Sequence, residues 1–365
     1  MNTKLSLLAI SIATMISTGI AQAGSVKTDG QDLIIKTKSG LKIETEDKTT
    51  SFQLGGRIQW DYDGTDSDNT AKSVQELDVR RARIFVKGHN KDWGYKAQFN
   101  IAESDGSKGG NAEDLYIRYT GFGKMAHITV GKQKESFGLE ELTSSKDISA
   151  LERSAMTEQY SPGRSAGVQL SGKGNNWTYG VGIFEADGNA SDDVNRVALT
   201  GRATFAPVNN GENLVHLGTA YSKRGQSNTV GIDKYNIELA AASGPFHAQA
   251  EYFNSKEGDS ASINGFYVQV GWVLTGESRP YSGGVFKRVQ ASTPSGAWEL
   301  IARYEDGDGK YSDIGLATTD GKQSTLGLNY YANDNVRVGL SYMDGEESQS
   351  NLSGNELRAR MQYVF

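Results

Sequence analysis

The last nine residues, Leu357-Arg358-Ala359-Arg360-Met361-Gln362-Tyr363-Val364-Phe365, alternate with period two. Successive side chains of a strand point to opposite faces, so Leu357, Ala359, Met361, Tyr363 and Phe365 share one face and Arg358, Arg360 and Gln362 the other. An apolar face that runs into a terminal Phe predicts the closing strand of a barrel offered to lipid. A soluble strand is the competing reading, and the other end of the chain separates the two. Residues 1–23 have the form of a secretory leader: Lys4, a mostly apolar stretch from Leu5 to Ile20, then Ala21-Gln22-Ala23 as the small-residue cleavage pattern. That run is shorter than the ~20 residues of a helical span, so the mature chain is expected to begin at Gly24 and to form one domain over 24–365.

The chain has no Cys and therefore no disulfide, and its net charge of −6, which becomes −7 when Lys4 leaves with the leader (37 Lys and Arg against 44 Asp and Glu), argues against a nucleic-acid partner. A mean hydropathy of −0.52 fits a barrel, in which lipid-facing and water-facing residues alternate. With 44 Gly and 17 Tyr against 5 Pro, the composition is that of many short turns and amphipathic aromatics.

Stripes of period two recur along the chain: Phe52, Leu54, Gly56, Ile58 and Trp60; Tyr95, Ala97, Phe99 and Ile101; Val197, Leu199, Gly201, Ala203 and Phe205. Phe266 to Leu274, Trp298 to Tyr304, Leu326 to Tyr330 and Val336 to Tyr342 continue the rhythm. So many stripes cannot share one core; together they predict a lipid-facing band. Roughly ten residues per strand plus turns gives about 14 to 18 strands, and even counts are the rule. The expectation is an all-β, sixteen-stranded antiparallel transmembrane barrel that encloses a water-filled channel.

That register sends Arg57, Arg81, Arg83, Lys96, Arg118, Arg202, Arg303 and Arg337 to the lumen, while alternation alone leaves Arg80 outside unless a bulge turns it. Inward guanidinium groups favour anions and offer planar donors to oxyanions. They equally hold a wall together when balanced by inward carboxylates such as Glu238, Glu251 and Glu299, so both roles stand open. Acidic runs at Asp61 to Asp68, Asp187 to Asp193 and Asp344 to Glu347 read as loops. Gln133 to Ser165 lacks alternation and is too long for a turn; it is expected to fold inward as a constriction loop or to lie outside as an extracellular one.

Several blocks now carry a family resemblance: Thr28-Asp29-Gly30, Ile35-Lys36-Thr37-Lys38, Leu54-Gly55-Gly56-Arg57, Arg80-Arg81-Ala82, Tyr119-Thr120-Gly121-Phe122 and Phe137-Gly138-Leu139-Glu140. Thr143-Ser144-Ser145-Lys146, Leu151-Glu152-Arg153, Leu274-Thr275-Gly276-Glu277, Gly296-Ala297-Trp298-Glu299-Leu300 and Tyr331-Ala332-Asn333 follow in order. The chain resembles the phosphate- and polyphosphate-selective outer-membrane porins of the O and P type. The resemblance implies a homotrimer of barrels in the bacterial outer membrane, in contact with lipid and lipopolysaccharide, each barrel narrowed by its third loop. It also implies that Arg57, Arg80, Arg81, Lys146 and Arg153 pass small anions along, that Ser144 and Ser145 supply hydroxyls at the narrow point, and that Glu113 tempers the binding. On Arg80 the resemblance overrides the alternation. Two departures stand against phosphate preference: Glu141 occupies the place of a second loop lysine, and Tyr221 to Tyr235 carries only Lys223, Arg224 and Lys234.

The mechanism implied is passive diffusion of phosphate, polyphosphate or other small anions, with no cofactor and no metal. A weakly selective porin for hydrophilic solutes is the alternative within the class. A barrel adhesin or receptor and an outer-membrane hydrolase are the alternatives outside it. The four His, at 89, 127, 216 and 247, are isolated in sequence, and no H-E-x-x-H helix occurs. An exposed Ser hydroxyl within reach of one of these His would point to a hydrolase.

Overall fold

The computed structural model describes residues 24–26, 32–37, 40–68, 74–102, 110–186, 197–225, 231–316, 318–349 and 352–365. The leader (1–23), Thr28 to Gly30 and Asp187 to Asp193 lie outside these. Three short strands, β1 (Gly24–Val26), β2 (Leu33–Lys36) and β3 (Leu41–Thr45), precede the barrel. The barrel runs through β4 (Thr50–Ser67), β5 (Val74–Asn90), β6 (Trp93–Asn100), β7 (Asn111–Tyr119), β8 (His127–Lys134), β9 (Arg164–Lys173), β10 (Trp177–Glu185) and β11 (Val197–Asn209). It continues through β12 (Asn213–Gly225), β13 (Gly231–Ser243), β14 (Phe246–Glu257) and β15 (Ile263–Val273). A small hairpin, β16 (Tyr281–Ser282) and β17 (Val285–Phe286), precedes the last four, β18 (Ala297–Lys310), β19 (Thr318–Tyr331), β20 (Val336–Glu347) and β21 (Ser353–Val364). Two short helices, α1 (Leu139–Leu142) and α2 (Ala155–Tyr160), lie between β8 and β9.

Every barrel strand pairs antiparallel with its neighbours, and β21 pairs back onto β4 from Gly354 opposite Ser67 to Val364 opposite Arg57. The result is a closed ring of sixteen strands. Closure leaves no unpaired edge in hydrocarbon, where each unmet backbone group costs several kcal/mol. The seam ends in two further bonds: Gly56 N–H donates to the Phe365 carbonyl at 2.8 Å, and Phe365 N–H donates to the Gly56 carbonyl at 3.1 Å. Gly56 permits this approach, since a Cβ there would lie 2.5 Å from Phe365 Cζ.

The terminal strand divides as its alternation requires. Arg358, Arg360 and Gln362 are buried inside, while Leu357 and Tyr363 are exposed outside. The outer band carries two aromatic belts. Trp93 against Tyr119, Phe246 against Trp272 and Trp298 against Tyr330 mark the short-turn end. Tyr221 against Tyr235 and Phe266 against Tyr304 mark the other. Phe266 and Trp272 are six residues apart on β15, ~20 Å at ~3.3 Å per residue, which suits an apolar band of roughly 25 Å.

Two expectations, on the acidic runs and on the lumen, are corrected, and the inward place of Arg80 has its cause in a bulge. Asp61 to Ser67 and Asp344 to Glu347 are not loops but the ends of long strands, β4 and β20. Arg80 is turned inward by a bulge: Gln59 faces Arg81 but Asp61 faces Asp78, so β5 carries one extra residue there. The interior is also only partly water-filled, because α2 packs Met156 and Tyr160 against Phe253, Tyr267 and Tyr311, and α1 packs Leu139 against Val285 and Phe286.

Deleting Phe365 removes both terminal bonds and the ring over Gly56. At about 1 kcal/mol per bond and about 2 for the ring, the heat-modifiability transition in detergent is expected to fall by at least about 5 °C. An unchanged transition would mean that the seam closes without the last residue.

Candidate functional site

The inward residues of β4 to β9 form cross-strand rows. Arg57 faces Arg83; Gly55 faces Phe85, which faces Gln98, which faces Asp114; Gln53 faces Lys87, which faces Lys96, which faces Tyr116. Arg118 lies one row further toward the short turns, opposite Thr129. A second bulge, between Gln98/Asp114 and Phe99/Ala112, inserts Glu113 and turns it inward beside Asp114. There Glu113 pairs with Arg83 at 2.5 Å and Arg164 at 2.8 Å, and Asp114 pairs with Lys96 at 2.5 Å and Arg164 at 2.7 Å.

The segment between β8 and β9 enters the barrel and is fastened to the opposite wall. The Glu251 carboxylate of β14 accepts the Leu139 and Glu140 N–H groups at 2.8 and 2.9 Å, and Glu305 of β18 accepts the Ala155 N–H at 2.6 Å. These carboxylates meet donors that helix starts leave unpaired. Glu140 pairs with Arg303 at 2.6 Å, Arg337 donates to the Ile148 and Ser149 carbonyls at 2.7 and 2.5 Å, and Arg279 donates to the Asp147 carbonyl at 3.2 Å. Glu152 receives Arg81 through two bonds of 2.7 Å and also meets Arg80 and Arg360.

Fastened there, the segment leaves a cavity of about 530 Å3 between itself and β4 to β9. Eight cations line it: Arg57, Arg83, Lys87, Lys96, Arg118, Lys134, Lys146 and Arg164, with Asp114 as the lining carboxylate side chain. Ser144 and Ser145 complete the segment's side. The buried Arg57 donates to Ser144 Oγ at 3.2 Å and to Ser145 Oγ at 2.7 Å. A hydroxyl that accepts from Arg57 keeps its own proton for another acceptor, so both serines can donate to an anion. Arg118, Ser136 and Leu142 also line a second cavity with Lys173 and Thr178, and those two line a third toward the short turns, which outlines one path.

The sequence-derived residues thus fall into two groups. Arg57, Ser144, Ser145 and Lys146 line the cavity, Lys146 with Asp147 at 3.1 Å. Arg80, Arg81 and Arg153 do not: the first two hold Glu152, and Arg153 is spent on Glu141 at 3.1 Å and on the Thr143 carbonyl. Glu141 is likewise no open charge at the narrow point. It is buried between Arg153 and Lys134, the latter at 2.9 Å. Burial alone pushes its carboxyl up, but Arg153 and Lys134 overcome this and hold it at about 2, so it stays ionised until pH falls toward that value. Arg224 and Lys234, two of the few cations between Tyr221 and Tyr235, fasten the inward segment, donating to Glu135 and to the Tyr160 carbonyl at 2.9 Å each.

Other features were not anticipated. The segment between β15 and β18 folds inward from the short-turn end, where Phe286 receives Arg279 at 4.3 Å and Gly284 accepts from Arg202. Its only sequence signal is its length without alternation. Ser51 Oγ lies 2.8 Å from His89 Nδ1, but Ser51 is buried and His89 Nε2 meets the Lys48 carbonyl rather than a carboxylate. Gly163-Arg164-Ser165-Ala166-Gly167 has nucleophile-elbow spacing, yet it opens strand β9 and Ser165 donates to Glu135 at 2.6 Å.

The family described as phosphate-selective porin O and P matches residues 52–231 and 223–365. Porin O of Pseudomonas aeruginosa is 32% identical, over 94% of this chain and 95% of that protein. The anion-selective porin from Comamonas acidovorans superposes with a TM-score of 0.62 at 15% identity, covering 87% of this chain and all of that one. OmpT of Vibrio cholerae, solved in a trimer form, gives 0.56 at 12% identity, over 87% of this chain and 100% of its own.

Changing Glu141→Gln is expected to act through Arg153, which stays charged and keeps only the more distant Glu158, at 3.9 Å, as a carboxylate partner among the described residues. Chloride over potassium permeability should rise about twofold, and the transition temperature should fall as a buried pair worth about 3 kcal/mol is broken. A fall in the permeability ratio would contradict the pairing.

Proposed function

The chain belongs to the phosphate-selective porin O and P family, and we propose that it is a passive, anion-selective diffusion channel whose path runs between β4–β9 and the inward segment. It is an outer-membrane protein, and family and fold are those of a channel. The observation that carries the selectivity is the charge on the cavity wall. Arg57, Lys87 and Arg118 have no carboxylate within ion-pair distance among the described residues. One such charge ~5 Å from a passing ion is worth about 3 kcal/mol at an effective dielectric near ~20, and about a quarter of that in open water. Since ~1.4 kcal/mol is tenfold, partial desolvation against this wall suffices for a clear anion preference.

The mechanism follows from the donors. An oxyanion such as phosphate sheds part of its hydration against Arg57, Ser144 and Ser145, then moves past Lys87, Lys96 and Arg118 toward Lys173. No metal or energy source enters this path, and each site is shallow enough to release the ion. The leader over 1–23 is proposed to be removed on export, and three copies are proposed to assemble with lipid and lipopolysaccharide around them; the trimer form of the similarly folded OmpT supports the latter.

Reversal potentials across a planar bilayer in a tenfold KCl gradient test this reading. The wild-type channel should favour chloride, and Arg57→Ala should lower the chloride over potassium ratio about threefold. A potassium-selective wild type would overturn it.

A further inference from the structure

Two of the three unmatched cations share one local arrangement. Lys87 Nζ lies 5.3 Å from the centre of the Phe85 ring, and the Arg118 guanidinium carbon lies 5.2 Å from that of Tyr116. In each case the ring stands two residues before the cation on the same inward face, one row away. In each case, too, the residue across the strand pair is glycine: Gly55 faces Phe85 and Gly131 faces Tyr116. A Cβ on Gly55 would come within 2.7 Å of Phe85 Cζ, and one on Gly131 within 2.8 Å of Tyr116 Cα. The missing side chain at Gly55 gives the Phe85 ring its place against the wall, and Gly131 lets the neighbouring strand pass close to the backbone of Tyr116.

We propose that Phe85 and Tyr116 are specificity-determining positioning residues, each holding a lumen cation in the ion path without cancelling its charge. This rests on the anion-channel reading above and names what keeps the wall positive. A carboxylate also holds a cation, but the pair is nearly neutral to a passing ion, as at Lys96 with Asp114. A ring attracts a cation through its quadrupole and carries no net charge, so the cation keeps its full field.

The opposite wall supplies the contrast. Arg303 lies over Tyr267 at 5.5 Å and Arg337 over Tyr331 at 5.4 Å, but Arg303 is also matched by Glu140, and Arg337 is bound to the carbonyls of the inward segment. Those cations are occupied in fastening; Lys87 and Arg118 are not. Arg118 has one further bond, to the neutral Thr129 hydroxyl at 2.9 Å, which steadies it equally without cancelling charge.

Bilayer reversal potentials in a KCl gradient with the full-length exported protein test the proposal. Phe85→Leu and Tyr116→Leu should each lower the chloride over potassium ratio two- to threefold while the barrel remains heat-modifiable, and Phe85→Tyr and Tyr116→Phe should restore it. In a Lys87→Ala background Phe85→Leu should produce no further change, because its effect passes through Lys87. A wild-type ratio in both Leu variants overturns the proposal, as does an equal loss from Phe85→Leu with Lys87 already removed. Failure of the underlying channel reading is separately visible as a wild type that does not favour chloride.

Discussion

A sheet placed in hydrocarbon has no tolerable edge, and everything else in this molecule depends on meeting that demand. The seam between β21 and β4 meets it, completed by the exchange of two backbone bonds between Gly56 and Phe365. Closure fixes which side of each strand is wet. It converts a period-two pattern spread over the chain into a continuous apolar exterior and a lumen lined by charged and amide side chains.

The lumen then holds two different kinds of surface. Along β11 to β21, guanidinium groups are matched by carboxylates and by carbonyls of the inward segment, as with Arg202 and Glu238 at 2.6 Å or Arg303 and Glu140. Such buried pairs add little net stability over an apolar packing but become costly when one partner is lost, which suits them to holding a loop in one place. Along β4 to β9 the balance differs. Glu113 and Asp114 match part of the positive charge, and Arg57, Lys87 and Arg118 rest on hydroxyls and rings. The carboxylates that fasten the loop therefore also decide where the path is positive.

The sequence displayed the sheet well because side-chain alternation is local. Leu357 to Phe365 and the stripes through Trp272 and Trp298 needed no knowledge of partners. Bulges were illegible: Arg80 and Glu113 each sit where one strand gains a residue against its neighbour, a property of the pair rather than of either strand. Partner assignment was illegible for the same reason. Glu141 read as an exposed obstacle and lies between Lys134 and Arg153, while Arg81 and Arg153 read as part of the ion path and fasten the loop. Phe85 was visible by parity as an inward residue, but only the register shows Gly55 opposite it.

The division of the lumen is open to direct test because the chain contains no cysteine. Single cysteines at Gln53, which lines the cavity, and at Ser341, inward but buried on β20, can be offered an anionic methanethiosulfonate while current is recorded. Stepwise loss of current with Gln53→Cys, and none with Ser341→Cys under the same exposure, is the outcome expected if ions pass along one wall only. Comparable rates of block at both positions would contradict it.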